Sequence, residues 1–366
     1  MRLIETISAL CPAEAHVDVC ALSGLEGSLD AQVRACGGTV IPVALKSPSF
    51  PFRFMQLLYR GRYSVVHSNV IYATGGILAL AAAAGVPVRI AQFHAMGDGH
   101  PSTWPRRLRR QVMQQCIDRC ATHIVGCAEG AMDGLWRTDW RTDPRCRVVY
   151  YGLDPTRFTA TGDAGRTRAE LGLSASDRIY LHVGNEVTEK NHARLVAIFA
   201  QIARLDPSAR LLLVGRGTDS PEGISAAAVQ NSPVADRVRM LGVRHDVPQL
   251  LEASDVLLLP SIREGLPGVV LEACASGVPV LATDLPGVRE IASRLPLVRY
   301  LPLSADDAEW AAAAVGLPNQ ASQLGLRGAA AETFRASVFH IDRMVKAHRL
   351  LWSGSGITER SVYACS

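Results

Sequence analysis

No C-x-x-C pair occurs among the nine cysteines, which are odd in number and scattered along the chain. That argues against a disulfide framework and favours a reduced compartment, with the cysteines acting as small buried hydrophobes. Cys116 and Cys120 fit this reading, four residues apart beside Met113 and Ile117 on one helical face. An apolar run long enough to cross a bilayer is also missing. The longest, Gly75–Val88, is too short and contains glycines and a proline. No basic, apolar, small-residue series opens the chain, so the expected location is the cytoplasm. Nor is there an internal repeat at a solenoid period. The formal net charge of +4 is mild for 366 residues and argues against a general nucleic-acid binder.

What is present is globular composition, 48% hydrophobic and 20% charged, at a length of about two domains. Short β-branched runs alternate with alanine- and leucine-rich stretches of helical length. Val17–Ala21, Thr39–Val43, Val65–His67, Val88–Ala91, His123–Val125 and Arg147–Tyr150 form one series of expected strands. Ile179–Val183, Arg210–Val214, Val238–Leu241, Val256–Leu259 and Val278–Ala282 form a second. Runs without alternation are expected to be buried on both faces, in parallel sheets covered by helices. Asn191–Leu205 reads as one such helix, with Leu195, Ile198, Phe199, Ile202 and Leu205 in an apolar stripe. Two doubly wound α/β domains follow. The seam is expected near Asp154–Ser176, where strand patterning stops and glycine accumulates. The expected division is 1–155, 156–330, a closing helix over 331–352 that returns to the first domain, and a loose tail over 353–366. Phe334, Val338, Ile341, Val345 and Leu350 would form that helix's packing face.

Chemistry concentrates in two loops of the second half. Arg263-Glu264-Gly265-Leu266-Pro267-Gly268-Val269-Val270-Leu271-Glu272 follows an expected strand and opens a helix closed by Gly277. Pro267 suits the first helical turn, and Gly268 permits close approach to the backbone. A helix N-terminus at the carboxyl end of a parallel strand attracts anions. Glu264 and Glu272 have the wrong charge for phosphate but suit sugar and ribose hydroxyls. Taken alone, the pair is equally consistent with a helix-terminal carboxylate and a surface glutamate. Gly184-Asn185-Glu186-Val187-Thr188-Glu189-Lys190-Asn191 places Lys190 beside another helix start, where its ammonium can neutralise a diphosphate. By itself it reads more readily as a solvated lysine in a polar loop. Leu213-Val214-Gly215-Arg216-Gly217 ends a strand tightly, without the third glycine of a dinucleotide fingerprint.

Taken together, Leu181–Ile291 resembles the nucleotide-sugar half of the large retaining glycosyltransferase family with the E-x7-E signature. The "LLLVGRG", "LGVRHDVPQLLEASDVLLLPS" and "REGLPGVVLEACASGVPVLATDLPG" segments carry the likeness, and the "EGLP" form resembles bacterial capsular and exopolysaccharide transferases. The first half matches through "VVHSN", "GVPVRIAQFHAMGD" and "VVYYGLDPTRF". The resemblance implies a GT-B fold, α/β, of two Rossmann-like domains facing a cleft. It implies Lys190 on the donor diphosphate, Glu272 on the ribose, and Glu264 against the transferred sugar. Gly184 and Asn185 would line the donor site, with Leu266, Gly268 and Val269 near sugar and phosphate and Gly242, Val243 and Arg244 near the base. His94 would face the sugar from the first domain. The donor is expected to be a nucleotide sugar, UDP-linked as commonest in the family, and the acceptor a cell-surface glycan or lipid-linked sugar. No D-x-D triplet occurs, so no metal or other cofactor is expected.

The pattern departs from the family in places. Asn185 stands where many members have an arginine, and Tyr151 replaces an asparagine before Gly152, expected to affect only the hinge. The family's first strand and glycine-rich loop have no counterpart before Val17, so that strand is expected to be missing. Two alternatives stay open on this account: a non-catalytic nucleotide-sugar-binding partner, and a nucleotide-sugar 2-epimerase. On the acceptor side, Trp104-Pro105-Arg106-Arg107-Leu108-Arg109-Arg110 opens an amphipathic helix whose other face is Val112, Met113, Cys116, Ile117 and Cys120. Four arginines there oppose the helix dipole, so helix stability does not explain them. They mark either a solvated face or a peripheral contact with anionic lipid on the inner side of the membrane.

Overall fold

Among the described residues all strand pairings run parallel, in two sheets. The computed structural model describes residues 16–25, 27, 30–94, 103–159, 162–353 and 360–365, the last as backbone. The chain divides into two units, one of residues 1–152 with 341–366, the other of 153–340.

The first unit contains β1 (His16–Ala21), α1 (Asp30–Ala35), β2 (Thr39–Pro42), α2 (Phe50–Gly61), β3 (Val65–Ser68), α3 (Thr74–Ala83), β4 (Val88–Phe93), α4 (Trp104–Cys120), β5 (His123–Gly126), α5 (Glu129–Leu135) and β6 (Cys146–Val148). The second contains α6 (Ala164–Glu170), β7 (Arg178–Val183), α7 (His192–Leu205), β8 (Ala209–Val214), α8 (Ile224–Gln230), β9 (Val238–Met240), α9 (Val247–Glu252), β10 (Val256–Leu259), α10 (Gly268–Ala275), β11 (Val280–Thr283), α11 (Pro286–Ala292), β12 (Val298–Leu301), α12 (Asp307–Gln323) and α13 (Leu326–Ala336). α14 (Ile341–Trp352) and β13 (Arg360–Cys365) complete the first unit.

In the second unit the strand order is β12-β11-β10-β7-β8-β9. Counted from β7 this is the doubly wound order 3-2-1-4-5-6 read backwards, with its reversal between β7 and β10. β7, β8, β10 and β11 are buried nearly throughout, as their unbroken apolar runs require. α7 seals one face with Leu195, Ile198, Phe199 and Ile202 against Trp310 and Leu317 of α12. β12 escapes a reading by apolar run because Arg299 and Tyr300 interrupt it.

The first unit has the order β2-β1-β13-β3-β4-β5-β6. β13 pairs with β1 from His16↔Arg360 to Ala21↔Cys365, and with β3 from Val65↔Ser361 to Ser68↔Ala364. Two expectations are corrected here. The 353–366 stretch is not only a loose tail, because 360–365 form a central strand. The position expected to lack a first strand is filled by it: counted from β13, the order is again 3-2-1-4-5-6, with β6 added. The apolar helical stripe read at Leu3, Ile4, Ile7 and Leu10 lies outside the described residues.

α2, α3 and α4 cover one face of this sheet through Phe50, Phe54, Leu58, Ile77, Leu78 and Ile117. Gly75 of α3 lets α4 approach its backbone, since a Cβ there would lie 2.3 Å from the Met113 carbonyl oxygen. The other face packs Val17, Val19 and Val33 against Met344, Val345, Leu351 and Trp352. The closing helix expected over 331–352 is in fact two, broken at 337–340. Ser337 stops α13 by donating to the Phe334 carbonyl at 2.7 Å, and the Leu153 amide bonds to Phe339 O at 2.9 Å. The break changes the helical register. Phe334 and Val345 are buried, whereas Val338 and Leu350 are exposed and Leu351 turns inward instead. Val112, expected on the packed face of α4, is also exposed.

Candidate active site

β7 and β10 end side by side at the reversal point of the second sheet, and their loops carry both chemical motifs. After β7 the chain turns through Gly184 and Asn185 to Lys190, and Asn191 adopts a left-handed φ of 58° immediately before α7. After β10 it passes Pro260 and Ser261 to Glu264. Lys190 Nζ lies 2.7 Å from Glu264 Oε1, and Ser261 Oγ donates to the same oxygen at 2.8 Å. The two loops are also latched through their backbones. Ile262 N donates to Glu189 O at 2.8 Å and Asn191 Nδ2 to Pro260 O at 3.2 Å. Arg263 pairs with the Glu189 carboxylate at 2.5 Å. Lys190 and Glu264 are thus fixed by four contacts between the segments and one within the second, in side chains that are mostly buried.

The neighbouring turns explain the glycines. A Cβ on Gly215, at φ 143°, would lie 2.1 Å from the Gly184 carbonyl oxygen. Asn185 accepts from the Arg216 amide at 3.1 Å, tying the same two turns together. Gly242 has φ 61° and stands against the Asp219 carboxylate. Val243 beyond it is exposed, and Arg244 pairs with Asp246. α10 begins at Gly268, with Pro267 as its N-cap rather than its first residue. Leu266 and Val269 are buried and Glu272 is partly exposed one turn further on. Gly287 of α11 touches the turn before α10 so closely that a Cβ would lie 1.7 Å from Gly265 O.

Several contributors escaped sequence reasoning. Glu186 accepts from the Ile224 and Ser225 amides, both at 2.8 Å, at the start of α8. Burial alone would raise its carboxyl, but the bonds from Ser225 and these amides outweigh that and hold it below the usual range. His182 and His192 lie edge to face beneath Gly184, ring centres 4.8 Å apart. Burial, with His192 nearby, pushes the His182 imidazole down to about 3. The alternation of His182 with apolar neighbours in β7 was the available signal.

In the first unit, His94 follows β4 directly. Its Nδ1 lies 2.5 Å from the Tyr151 hydroxyl, and the rings stack at 5.6 Å. Tyr151, expected only to affect a hinge, therefore orients the histidine. His94 Nε2 has no hydrogen-bond partner among the described residues. Burial, assisted by His348, pushes its pKa down to about 4, so the ring is neutral near pH 7.

Two units with doubly wound parallel sheets, loops converging at the reversal point of the second, define the GT-B class of fold. Residues 2–152 match the glycosyl transferase 4-like domain, and residues 177–319 match the glycosyl transferases group 1. EpsF of Bacillus subtilis (strain 168), a protein assigned to the glycosyltransferases, is 31% identical over 302 residues, covering 80% of this chain and 78% of EpsF. The capsular polysaccharide biosynthesis glycosyltransferase CapH of Staphylococcus aureus is 24% identical over 78% of this chain and 77% of its own. Among solved structures, Anabaena Alr3699/HepE in complex with UDP and glucose superposes with a TM-score of 0.78 at 18% identity, covering 96% of this chain and 95% of that one. The chain belongs to the glycosyltransferase family and is an enzyme of that type.

Proposed function

We propose that the protein is a retaining glycosyltransferase that moves a sugar from a UDP-sugar to a growing cell-surface glycan or lipid-linked acceptor. The observation that carries this reading is the Lys190–Glu264 pair at the reversal point between β7 and β10. An ammonium and a carboxylate held together there offer one group for a diphosphate and one for sugar hydroxyls. The names of CapH and HepE, one in capsule synthesis and one with UDP and glucose bound, point to the same substrates.

In this reading Lys190 and the amides of Leu266, Gly268 and Val269 stabilise the leaving diphosphate without a metal. Glu272 accepts from the ribose hydroxyls, and Gly242, Val243 and Arg244 border the base. Gly184 and Asn185 shape the floor. The bond from the anomeric carbon to the phosphate oxygen breaks through an oxocarbenium-like state. The acceptor hydroxyl bonds to that carbon on the same face and gives its proton to the departing phosphate. His94, neutral and oriented by Tyr151, is a hydroxyl-binding group on the acceptor-side unit. Arg106, Arg107, Arg109 and Arg110 supply a contact with the inner face of the membrane. The non-catalytic alternative rested on an empty strand position that β13 fills.

Calorimetric titration with UDP and UDP-glucose tests the donor site. Lys190→Ala and Glu272→Ala should each weaken binding by roughly 1.5–3 kcal/mol, the scale of a lost charge-assisted hydrogen bond. Unchanged affinity in both folded variants would remove the site. The anomeric configuration of the product, read by NMR, tests retention.

A further inference from the structure

The lysines and arginines in the loops that follow β7, β8, β9 and β10 are cancelled by carboxylates, with one exception. Lys190 pairs with Glu264, Arg244 with Asp246 and Arg263 with Glu189. Arg216, two residues beyond β8, is exposed, and its guanidinium has no hydrogen-bond or carboxylate partner among the described residues. Asp219 and Glu222 follow it in the same loop, yet neither is drawn to it.

The backbone of Arg216, by contrast, is held on both sides. Its amide donates to Asn185 Oδ1 at 3.1 Å, and its carbonyl accepts from the Glu186 amide at 2.8 Å. Gly215, just before it, lies against Gly184, and Gly184 lies against the stem of Lys190, where a Cβ would come within 3.0 Å of Lys190 Cδ. Arg216 is therefore anchored beside the loop that carries Lys190, with its backbone fixed and its charge uncommitted. A guanidinium presents a planar fork of donors that suits two oxygens of a phosphate group.

Charge balance gives this cation a task. With the three ion pairs set aside, the same loops keep the carboxylates of Glu186, Asp219 and Glu222 against Arg216. Glu186 is satisfied by the α8 amides but retains its charge. A diphosphate beside Lys190 meets an ammonium already neutralised by Glu264 at 2.7 Å, in surroundings that are otherwise negative.

We propose that Arg216 is a second cation of the donor site, bonding the diphosphate together with Lys190. This rests on the UDP-sugar reading above and names the group that supplies the charge the Lys190–Glu264 pair lacks. When the bond from the anomeric carbon breaks, its electron pair adds a negative charge to the diphosphate. The bond from Arg216 therefore strengthens toward the transition state and the UDP product.

The test is calorimetric titration of the full chain with UDP, UDP-glucose and inorganic pyrophosphate. Arg216→Gln should weaken UDP and pyrophosphate about tenfold or more, as loss of a charge-assisted hydrogen bond does, and UDP-glucose less than UDP. Arg216→Lys should recover part of the loss, because it keeps the charge without the fork. The thermal midpoint of Arg216→Gln should equal that of the wild type, since the side chain is exposed. A loss for UDP with pyrophosphate affinity unchanged would place Arg216 on the base and overturn the proposal. Wild-type affinity for all three ligands would overturn it too, leaving a solvated turn residue. A wild type that binds pyrophosphate but not UDP would count against the nucleotide reading alone, with Arg216→Gln still deciding the anion site. Binding of neither would remove both.

Discussion

Individual residues in the second unit serve the site mostly by shaping its backbone. Gly287 is the clearest case, because its conformation is ordinary and only space forbids a side chain. Gly287→Ala must push α11 away from the turn that carries Glu264. We expect a loss of about 1–3 kcal/mol in stability, the usual cost of overpacking, together with weaker UDP binding. A variant with wild-type melting and affinity would contradict the contact. Tyr151 makes a sharper test in the other unit. Tyr151→Phe removes the hydroxyl that holds His94 Nδ1 and leaves the stacked ring in place. Turnover should fall about tenfold or more, as misorientation of a reacting group costs, with UDP affinity unchanged. A loss confined to donor affinity would show that His94 has been given the wrong role.

At the scale of elements, β13 changes the account of the first sheet. A strand between β1 and β3 has a parallel neighbour on each side, so its amides are committed to the ladder. Proline cannot supply such an amide and is confined to edges or bulges. Tyr363→Pro should therefore destabilise the first unit by about 3 kcal/mol or more, and hydrogen exchange should find the amides of 361–364 protected in the wild type. Rapid exchange there, with a harmless proline, would return the segment to the loose tail its composition indicates. α13 and α14 make the complementary point. A continuous apolar stripe was readable across them, yet the Ser337 turn breaks the helix and exchanges Leu350 for Leu351 as the buried residue.

For the molecule as a whole, buried histidines dominate the response to acid. His67, His94, His182, His192 and His348 all have pKa values lowered, in each case chiefly by burial. A histidine depressed in the folded state is neutral there while the unfolded chain binds a proton. Its contribution is intact above the ordinary value of 6.5 and is lost as pH falls toward the folded value, about 4 for His94. At pH 5 one such group costs about 2 kcal/mol. The thermal midpoint should hold from pH 8 to 6.5 and drop steeply below 6. Carboxylates held low, Glu186 and Asp246 among them, add to the loss further down. A midpoint constant from pH 7 to 5 would show that these rings are solvated.

The sequence alone determined the two α/β units, because apolar runs without alternation fit only strands covered on both faces. It also marked the two loops that meet at the reversal point of the second sheet, because glycine, lysine and glutamate in that order announce tight turns beside helix starts. Only the tertiary structure decided that Lys190 bonds Glu264 across 74 residues, that Tyr151 orients His94, and that Gly287 must lack a side chain. Such contacts join segments distant in sequence, and no local pattern encodes them. The place of 360–365 was decided in the same way. Six residues with little periodicity become a central strand only because two neighbouring strands leave their backbone groups facing an open position between them.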